Sequence, residues 1–391
     1  MKWIVQLLLF LNHFSVGLLA PVLNLMLLDR GASYQTLPLL YMVMAAVILL
    51  FEIPSGICAD MIGRKRVFLL SGFFNTISFI LLFLAKESII LLFVSIALYG
   101  IGRAFASGSL DALIIDQAVA KHGNQGLPRI TARLSILEAV GLSLGSICGG
   151  FLAHLGEGYS VNLIIRTVSI ILVMSLAALF IEEVSQNSEI RIPFKEHIRE
   201  GIKIVISSKA FAIAIAGGFI VGIALSSVET YWQPAFIQVS GSKESNWMLG
   251  IIMFLGFSAV SGGNFRAQRI LTGQDKTKFW IHILSRGFLG ASLVLFALQT
   301  SKVGYILLYT IFYLILGLGN IAELTIINSL TSSSIRASIL SLYSFVIQIG
   351  LMVSSLISSL SVQWVGFAGV WVIMAIITGM YVISSIVVNK T

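Results

Sequence analysis

The sequence predicts an all-α polytopic membrane protein, twelve membrane helices arranged as two six-helix bundles. Three observations lead there. Hydrophobic residues make up 57% and charged residues 11% of the 391, against about 45–50% and 25% in ordinary soluble domains. Apolar runs of about 20 residues, enough to cross a bilayer as helix, recur along the chain with short polar links. One long polar stretch, residues 182–208, divides these runs into six before and six after.

In order, the spans are Trp3–Leu28, Leu37–Ala59, Val67–Ala85, Ile89–Val119, Ile130–His154 and Val161–Ile181. The second set is Lys209–Phe236, Asn246–Phe265, Phe279–Leu298, Val303–Asn328, Ile335–Leu360 and Trp364–Val388. The domains expected are thus 1–181, a linker 182–208, and 209–391. The first run follows a single lysine and has no small-residue cleavage site after it, so it reads as a retained helix and not a signal peptide. Within the linker Phe194, Ile198 and Ile202 recur at helical spacing, predicting a short amphipathic helix on the inner membrane surface. Glycine is frequent (35) and proline scarce (6), as suits helices that pack through small residues.

The formal charge of +8 is topology and not a nucleic-acid footprint. Arg30, Lys86, Lys243 and Lys302 fall in outer links, and Arg103, Arg166 and Arg286 fall within spans. The other eighteen of the 25 cations lie at the termini, in alternate links or at the span ends beside those links, all of which become cytoplasmic if the N-terminus is inside. Both termini are therefore expected in the cytoplasm, with the chain in the inner (plasma) membrane. Cys58 and Cys148 both fall in or at the end of helices and predict neither a disulfide framework nor a metal site. No phosphate-binding loop, zinc-ligand spacing or nucleophile motif stands in the chain, so neither an enzyme nor a cofactor is expected.

The sharpest motif is Gly56-Ile57-Cys58-Ala59-Asp60-Met61-Ile62-Gly63-Arg64-Lys65-Arg66, between the second and third spans. Gly56, Asp60, Gly63, Arg64 and Lys65 match residue for residue a loop of the major facilitator superfamily, G-x-x-x-D-x-x-G-R-K/R-x, and the chain resembles that family over essentially its full length. The resemblance implies two pseudo-symmetric bundles rocking about a midplane site. It also implies that Asp60, Gly63 and Arg64 latch the cytoplasmic side. The corresponding stretch of the second half, Gly262-Gly263-Asn264-Phe265-Arg266-Ala267-Gln268-Arg269, is a degenerate copy. The glycines at 141, 145, 149 and 150 form a small-residue face. They also resemble the family's antiporter signature, with Ser146 in place of its proline. Gly100 to Gly108 resembles the family's R-x-x-x-G motif around Arg103, the glycine one position late.

A charge at membrane depth costs at least about 2.5–3.5 kcal/mol on insertion scales and calls for a partner or a purpose. Arg103 and Asp111 stand eight apart, two turns along nearly one helical face. Glu138 is read either as the salt-bridge partner of Arg103 or as a proton site. Arg166 is expected to snorkel to the outer surface, Glu52 to brace the end of its helix, and Asp116 to pair with a cytoplasmic arginine in a gating role. Glu229 stands beside Tyr231 and Trp232; carboxylate and aromatics together suit an organic cation, although Trp232 is better read as part of the interfacial aromatic belt.

The resemblance puts the first, fourth, seventh and tenth helices around the cavity. Glu229, Arg103, Asn12, His13, Tyr231 and Asn320 are then the substrate-binding candidates. Glu323, Asp111 and Glu138 are the proton-coupling candidates, Glu323 foremost. The reading is a secondary active transporter exporting amphipathic or cationic organic compounds against protons by alternating access. The alternatives are proton symport of a small polar metabolite or sugar, and a membrane receptor or enzyme. The partners expected are a small-molecule substrate, protons and lipid, with no nucleic acid, and the chain a monomer.

Overall fold

The computed structural model describes residues 3–107, 109–122, 127–183, 208–241, 245–271, 275–331 and 336–390. Among them every regular element is helical. The helices are α1 (Trp3–Leu19), α2 (Leu23–Asp29), α3 (Thr36–Ile62), α4 (Arg64–Leu84), α5 (Ile89–Ala106), α6 (Leu110–His122), α7 (Leu127–Leu152) and α8 (Ser160–Phe180). After the linker come α9 (Lys209–Ser240), α10 (Asn246–Ile270), α11 (Asp275–Ala297), α12 (Lys302–Ser329) and α13 (Arg336–Lys390). The expected amphipathic helix of the linker and the side chains of Asp60 and Asp116 lie outside the described residues.

Among the described residues eleven runs are long and apolar enough to cross a membrane. The last of them is broken at Gly366, whose φ of +64° a residue with a Cβ rarely adopts. Its two arms of about 25 residues are each the length of a crossing, which accounts for the twelve expected. Pro21, lacking an N–H for the helical ladder, lies in a single 3-10 turn between α1 and α2.

The fourth span departs from expectation. Ser107 leaves helical geometry (φ −57°, ψ 118°), so α5 ends and α6 begins after it. Arg103 and Asp111 therefore stand on two different helices, and the shared face expected from their spacing does not form. Arg103 is exposed, Asp111 half-buried.

The chain divides into two compact units. The first comprises Met1–Glu189 with Ser242–Leu255, the second Ile190–Gly241 with Gly256–Thr391. The start of α10 belongs with the first unit because Gly150 and Gly250 let two backbones touch: a Cβ on Gly150 would stand 2.8 Å from the Gly250 nitrogen. Phe151 stacks on Trp247 at 6.2 Å, and Asn246 Nδ2 donates to the Tyr159 hydroxyl at 3.2 Å.

In the first unit α1 crosses α7 at the small-residue face. A Cβ on Gly17 would come within 2.5 Å of the Leu142 carbonyl oxygen, and one on Gly145 within 3.0 Å of the Gly17 Cα. Lipid offers no hydrophobic drive between helices, so such close backbone packing, with the polar contacts it opens, holds them together. Asn162 on α8 uses that access: its Nδ2 donates to the carbonyls of Leu18 (2.9 Å) and Gly149 (2.7 Å).

In the second unit α9 crosses α13 the same way. A Cβ on Gly222 would meet the Ile347 carbonyl, and one on Gly350 the Phe219 carbonyl. Beside this crossing lies a sealed aromatic cluster. Trp232 packs on Tyr309 (4.8 Å between ring centres), Tyr309 on Tyr313 (4.7 Å) and Phe296 on Trp371 (5.4 Å). Trp232 is wholly buried, inside the protein and not in an interfacial belt, and the Tyr305 hydroxyl donates to its carbonyl at 2.9 Å.

Candidate functional site

The densest polar arrangement lies inside the second unit, where α11 and α12 face each other. His282 and Arg286 are four apart on α11, hence on one face, and Asn320 and Glu323 are three apart on α12. His282, Arg286 and Glu323 are all 0% exposed. Glu323 Oε2 accepts from Arg286 Nη2 at 2.5 Å and Nε at 3.2 Å, and His282 Nδ1 stands 3.2 Å from the same oxygen. Asn320 Oδ1 accepts from Arg286 Nη2 at 3.1 Å.

Two glycines make room for this network. A Cβ on Gly217 would lie 2.6 Å from both Glu323 Oε2 and His282 Cε1, and one on Gly319 2.7 Å from Arg286 Nη1.

The far side of His282 fixes where its proton sits. Its Nε2 is 2.7 Å from the Tyr381 hydroxyl, and that hydroxyl donates to the Ile213 carbonyl at 2.8 Å. A phenol has one proton and a carbonyl can only accept, so Nε2 is the donor toward Tyr381. Nδ1 stands 3.2 Å from Glu323 Oε2 without the alignment of a hydrogen bond, so the two attract as an ion pair when the ring carries a second proton and lose that attraction when it does not. Four helices, α9, α11, α12 and α13, thus converge on His282 and Glu323.

Of the expected proton-coupling residues only Glu323 is in this network. Glu138 is exposed on α7, and Arg103 makes no ion pair with it or with any other described residue. The bridge between the two is therefore not formed. Asn12 and His13 lie half-buried on α1. Glu229 is half-buried on α9 close to Tyr309. Tyr231 is fully buried with its ring stacked on Phe367 at 4.9 Å, a packed position and not the wall of an open cage.

The loop expected to act as a latch is tied down within the first unit. Gly63 has φ +94°, joining α3 to α4. The exposed Glu183, beyond α8, accepts from the Lys65 backbone N–H at 3.0 Å, where an anion suits a helix N-terminus. Lys65 Nζ donates to the Ala178 carbonyl at 2.8 Å, and Arg64 is half-buried.

Arg166 does not snorkel. It is 4% exposed, with Leu163 and Ile170 of the apolar core on either side along α8. Its Nη1 donates to the Ser15 hydroxyl of α1, it hydrogen-bonds Tyr99 of α5, and the guanidinium lies 5.5 Å above the ring of Phe79 on α4.

Sequence reasoning missed His282, Tyr381 and Glu183, and left Arg286 as one buried charge among several. The spacing of His282 and Arg286 was visible, but nothing in one apolar span says which neighbour its polar face meets.

A family model described as Major Facilitator Superfamily matches residues 6–353. The chain is 24% identical over 255 residues to the uncharacterised MFS-type transporter YxaM of Bacillus subtilis (strain 168), an alignment covering 64% of this chain and 62% of that protein. A mutant of the nucleoside transporter NupG superposes with a TM-score of 0.85 at 14% identity over 99% of both chains. An auto-inhibited POT family peptide transporter gives 0.78 at 11% identity, covering 99% of this chain and 96% of its own. A bacterial homologue of the lysosomal transporter Spinster, inward-facing and occupied, gives 0.77 at 15% identity, covering 100% and 96%. At these identities the solved structures establish the shared fold.

Proposed function

The chain belongs to the major facilitator superfamily, and on that premise we propose that this multi-pass membrane transporter, which is not an enzyme, couples solute movement to protons through Glu323, His282 and Arg286. The observation that carries the reading is the cluster, sealed from water, in which Glu323 Oε2 stands 3.2 Å from His282 Nδ1 and 2.5 Å from Arg286 Nη2. A second proton on His282 adds an attraction between α11 and α12 to the Arg286–Glu323 pair that already joins them, and its loss removes that addition. Protonation is thereby tied to helix spacing, the kind of two-state element that alternating access needs. The distribution of lysine and arginine supports cytoplasmic termini, and Asp60, Gly63 and Arg64 then serve as the gate on that face.

For the solute we favour a small polar organic molecule. Proteins of the same fold carry nucleosides and peptides by their own descriptions, and the first unit offers Arg103, Asn12 and His13 as polar contacts. Export of amphipathic cations is the second reading, favoured by the half-buried Glu229 beside Tyr309.

The test is flux in proteoliposomes under an imposed pH gradient, across labelled nucleosides, dipeptides and cationic dyes. Glu323→Gln should abolish pH-driven accumulation while exchange of the same solute across the membrane persists. Accumulation that survives in the variant rules the network out as the coupling site. Glu229→Gln should weaken cations far more than neutral solutes if the second reading holds.

A further inference from the structure

Arg166 is a buried cation that the coupling network does not use. Its side-chain partners are the Ser15 hydroxyl, Tyr99 and the face of Phe79, all neutral. Among the described residues no carboxylate stands within ion-pair distance of it. The charged side chain that acts on it is of the same sign: Arg103, one turn beyond Tyr99 on α5, itself without an ion pair among the described residues. Desolvating a guanidinium is costly, and a second cation nearby adds to the cost. Arg286, equally buried, has its carboxylate at 2.5 Å.

We propose that Arg166 binds the carboxylate of an organic-anion substrate, with Arg103 supplying a second positive charge at the approach. The inference rests on the transport reading and names the substrate class. The guanidinium presents five N–H donors in a planar fork that fits a carboxylate. Ser15 already donates its own proton to the Asn12 carbonyl at 2.7 Å, so its hydroxyl accepts from Arg166; with Tyr99 as the second partner, two of the five donors are used and three remain for a ligand. One guanidinium matches one negative charge. Phe79 and Tyr99, 5.4 Å apart between ring centres, add aromatic surface. Access is from the side of Arg103, which is exposed, past the half-buried Tyr99.

The test is ligand-induced stabilisation of the full chain purified in detergent, with four probes sharing one ring: benzoate, phenyl phosphate, benzamide and benzylamine. Benzoate should raise the melting temperature in a saturable way, and neutral benzamide and cationic benzylamine should not. Arg166→Lys keeps the charge but loses the fork, and should weaken benzoate at least about tenfold. Arg103→Gln changes an exposed residue and should weaken it about threefold, which keeps the test open if the first variant fails to fold.

Equal stabilisation by benzoate and benzamide overturns the proposal, as does stabilisation by benzylamine alone. Phenyl phosphate acting where benzoate does not overturns the carboxylate assignment. Unchanged benzoate affinity in both variants puts the anion elsewhere and overturns the site. Because binding is read without a gradient, these outcomes are separate from loss of coupling in Glu323→Gln.

Discussion

The same corner of the two units holds opposite kinds of residue. Gly17 and Gly222 are 205 residues apart, and so are Gly145 and Gly350; each pair makes the tight crossing of its own unit. The same step carries Arg166 onto Trp371. Arg166 sits on α8 and Trp371 on α13, and each donates to the first helix of its unit: Arg166 to the Ser15 hydroxyl, Trp371 through Nε1 to the Ser227 carbonyl at 3.2 Å. Both lie against a phenylalanine, Phe79 and Phe296. An indole closes this corner in one unit, so packing does not require a cation there in the other. A charge kept where the fold is satisfied without one points to a ligand. The cation the second unit does bury, Arg286, has its carboxylate inside the protein.

The sharpest way to break the comparison is to make Arg286 resemble Arg166. Glu323→Gln leaves a sealed guanidinium without its charge partner and should lower stability by about 3–5 kcal/mol. Chemical unfolding in detergent measures it. Adding Arg286→Met to the same chain should recover most of the loss. If the single variant is as stable as the parent, the pair contributes nothing and the contrast between the two arginines fails.

Next are the crossings. Gly145→Ala and Gly350→Ala each push a methyl into a facing backbone, the Phe14 and Phe219 carbonyls respectively. Both should destabilise, by about 1–3 kcal/mol and by similar amounts. A large cost in one unit with none in the other denies that the crossings are equivalent.

The latch and its degenerate copy should respond with opposite sign. At Gly63 the backbone is held at φ +94°, and a Cβ would lie 2.5 Å from the Glu183 carboxylate oxygen. Gly63→Ala should therefore cost about 1–3 kcal/mol. Gly262 lies within α10 with nothing within 4 Å of an added Cβ. Gly262→Ala should be neutral or stabilise by up to about 1 kcal/mol. Paired thermal melts decide it.

The fold was legible because the membrane writes it directly: about 20 apolar residues per crossing, with cations in alternate links. The break between α5 and α6 could also have been read, since Ser107-Gly108-Ser109 interrupts an otherwise apolar run. The sites were legible only in part. Glu323 stood out as a carboxylate in an apolar span, and so did Arg286, but a pair formed across two helices 37 positions apart leaves no local pattern. His282 was overlooked because one histidine in an apolar run reads as packing. Glu183 was overlooked because a glutamate past the end of a span reads as solvated, and only the turn at Gly63 brings it to the start of α4. Arg166 was misread for a related reason. Its place early in the sixth span suggested the surface, whereas the packing of α8 sets it among Leu163, Ile170 and Phe79.

The smallest expected effect is the most discriminating. Arg166→Trp installs in the first unit the residue that the second already uses at that corner. It removes an uncompensated buried charge, which in other proteins is neutral or stabilising once the replacement packs well. The Ser15 hydroxyl keeps its bond to the Asn12 carbonyl and loses only an incoming donor. The indole gains the face of Phe79, as Trp371 gains that of Phe296. Stability should stay within about 1 kcal/mol of the parent, or rise, while stabilisation by benzoate disappears. A chain that melts far below the parent would show that the cation itself holds α1, α4, α5 and α8 together, and its neutral surroundings would then be structure and not an open binding position. A chain that melts as the parent does yet still responds to benzoate would place the anion on Arg103 instead. Unchanged stability with lost binding is the outcome that assigns the charge to the ligand.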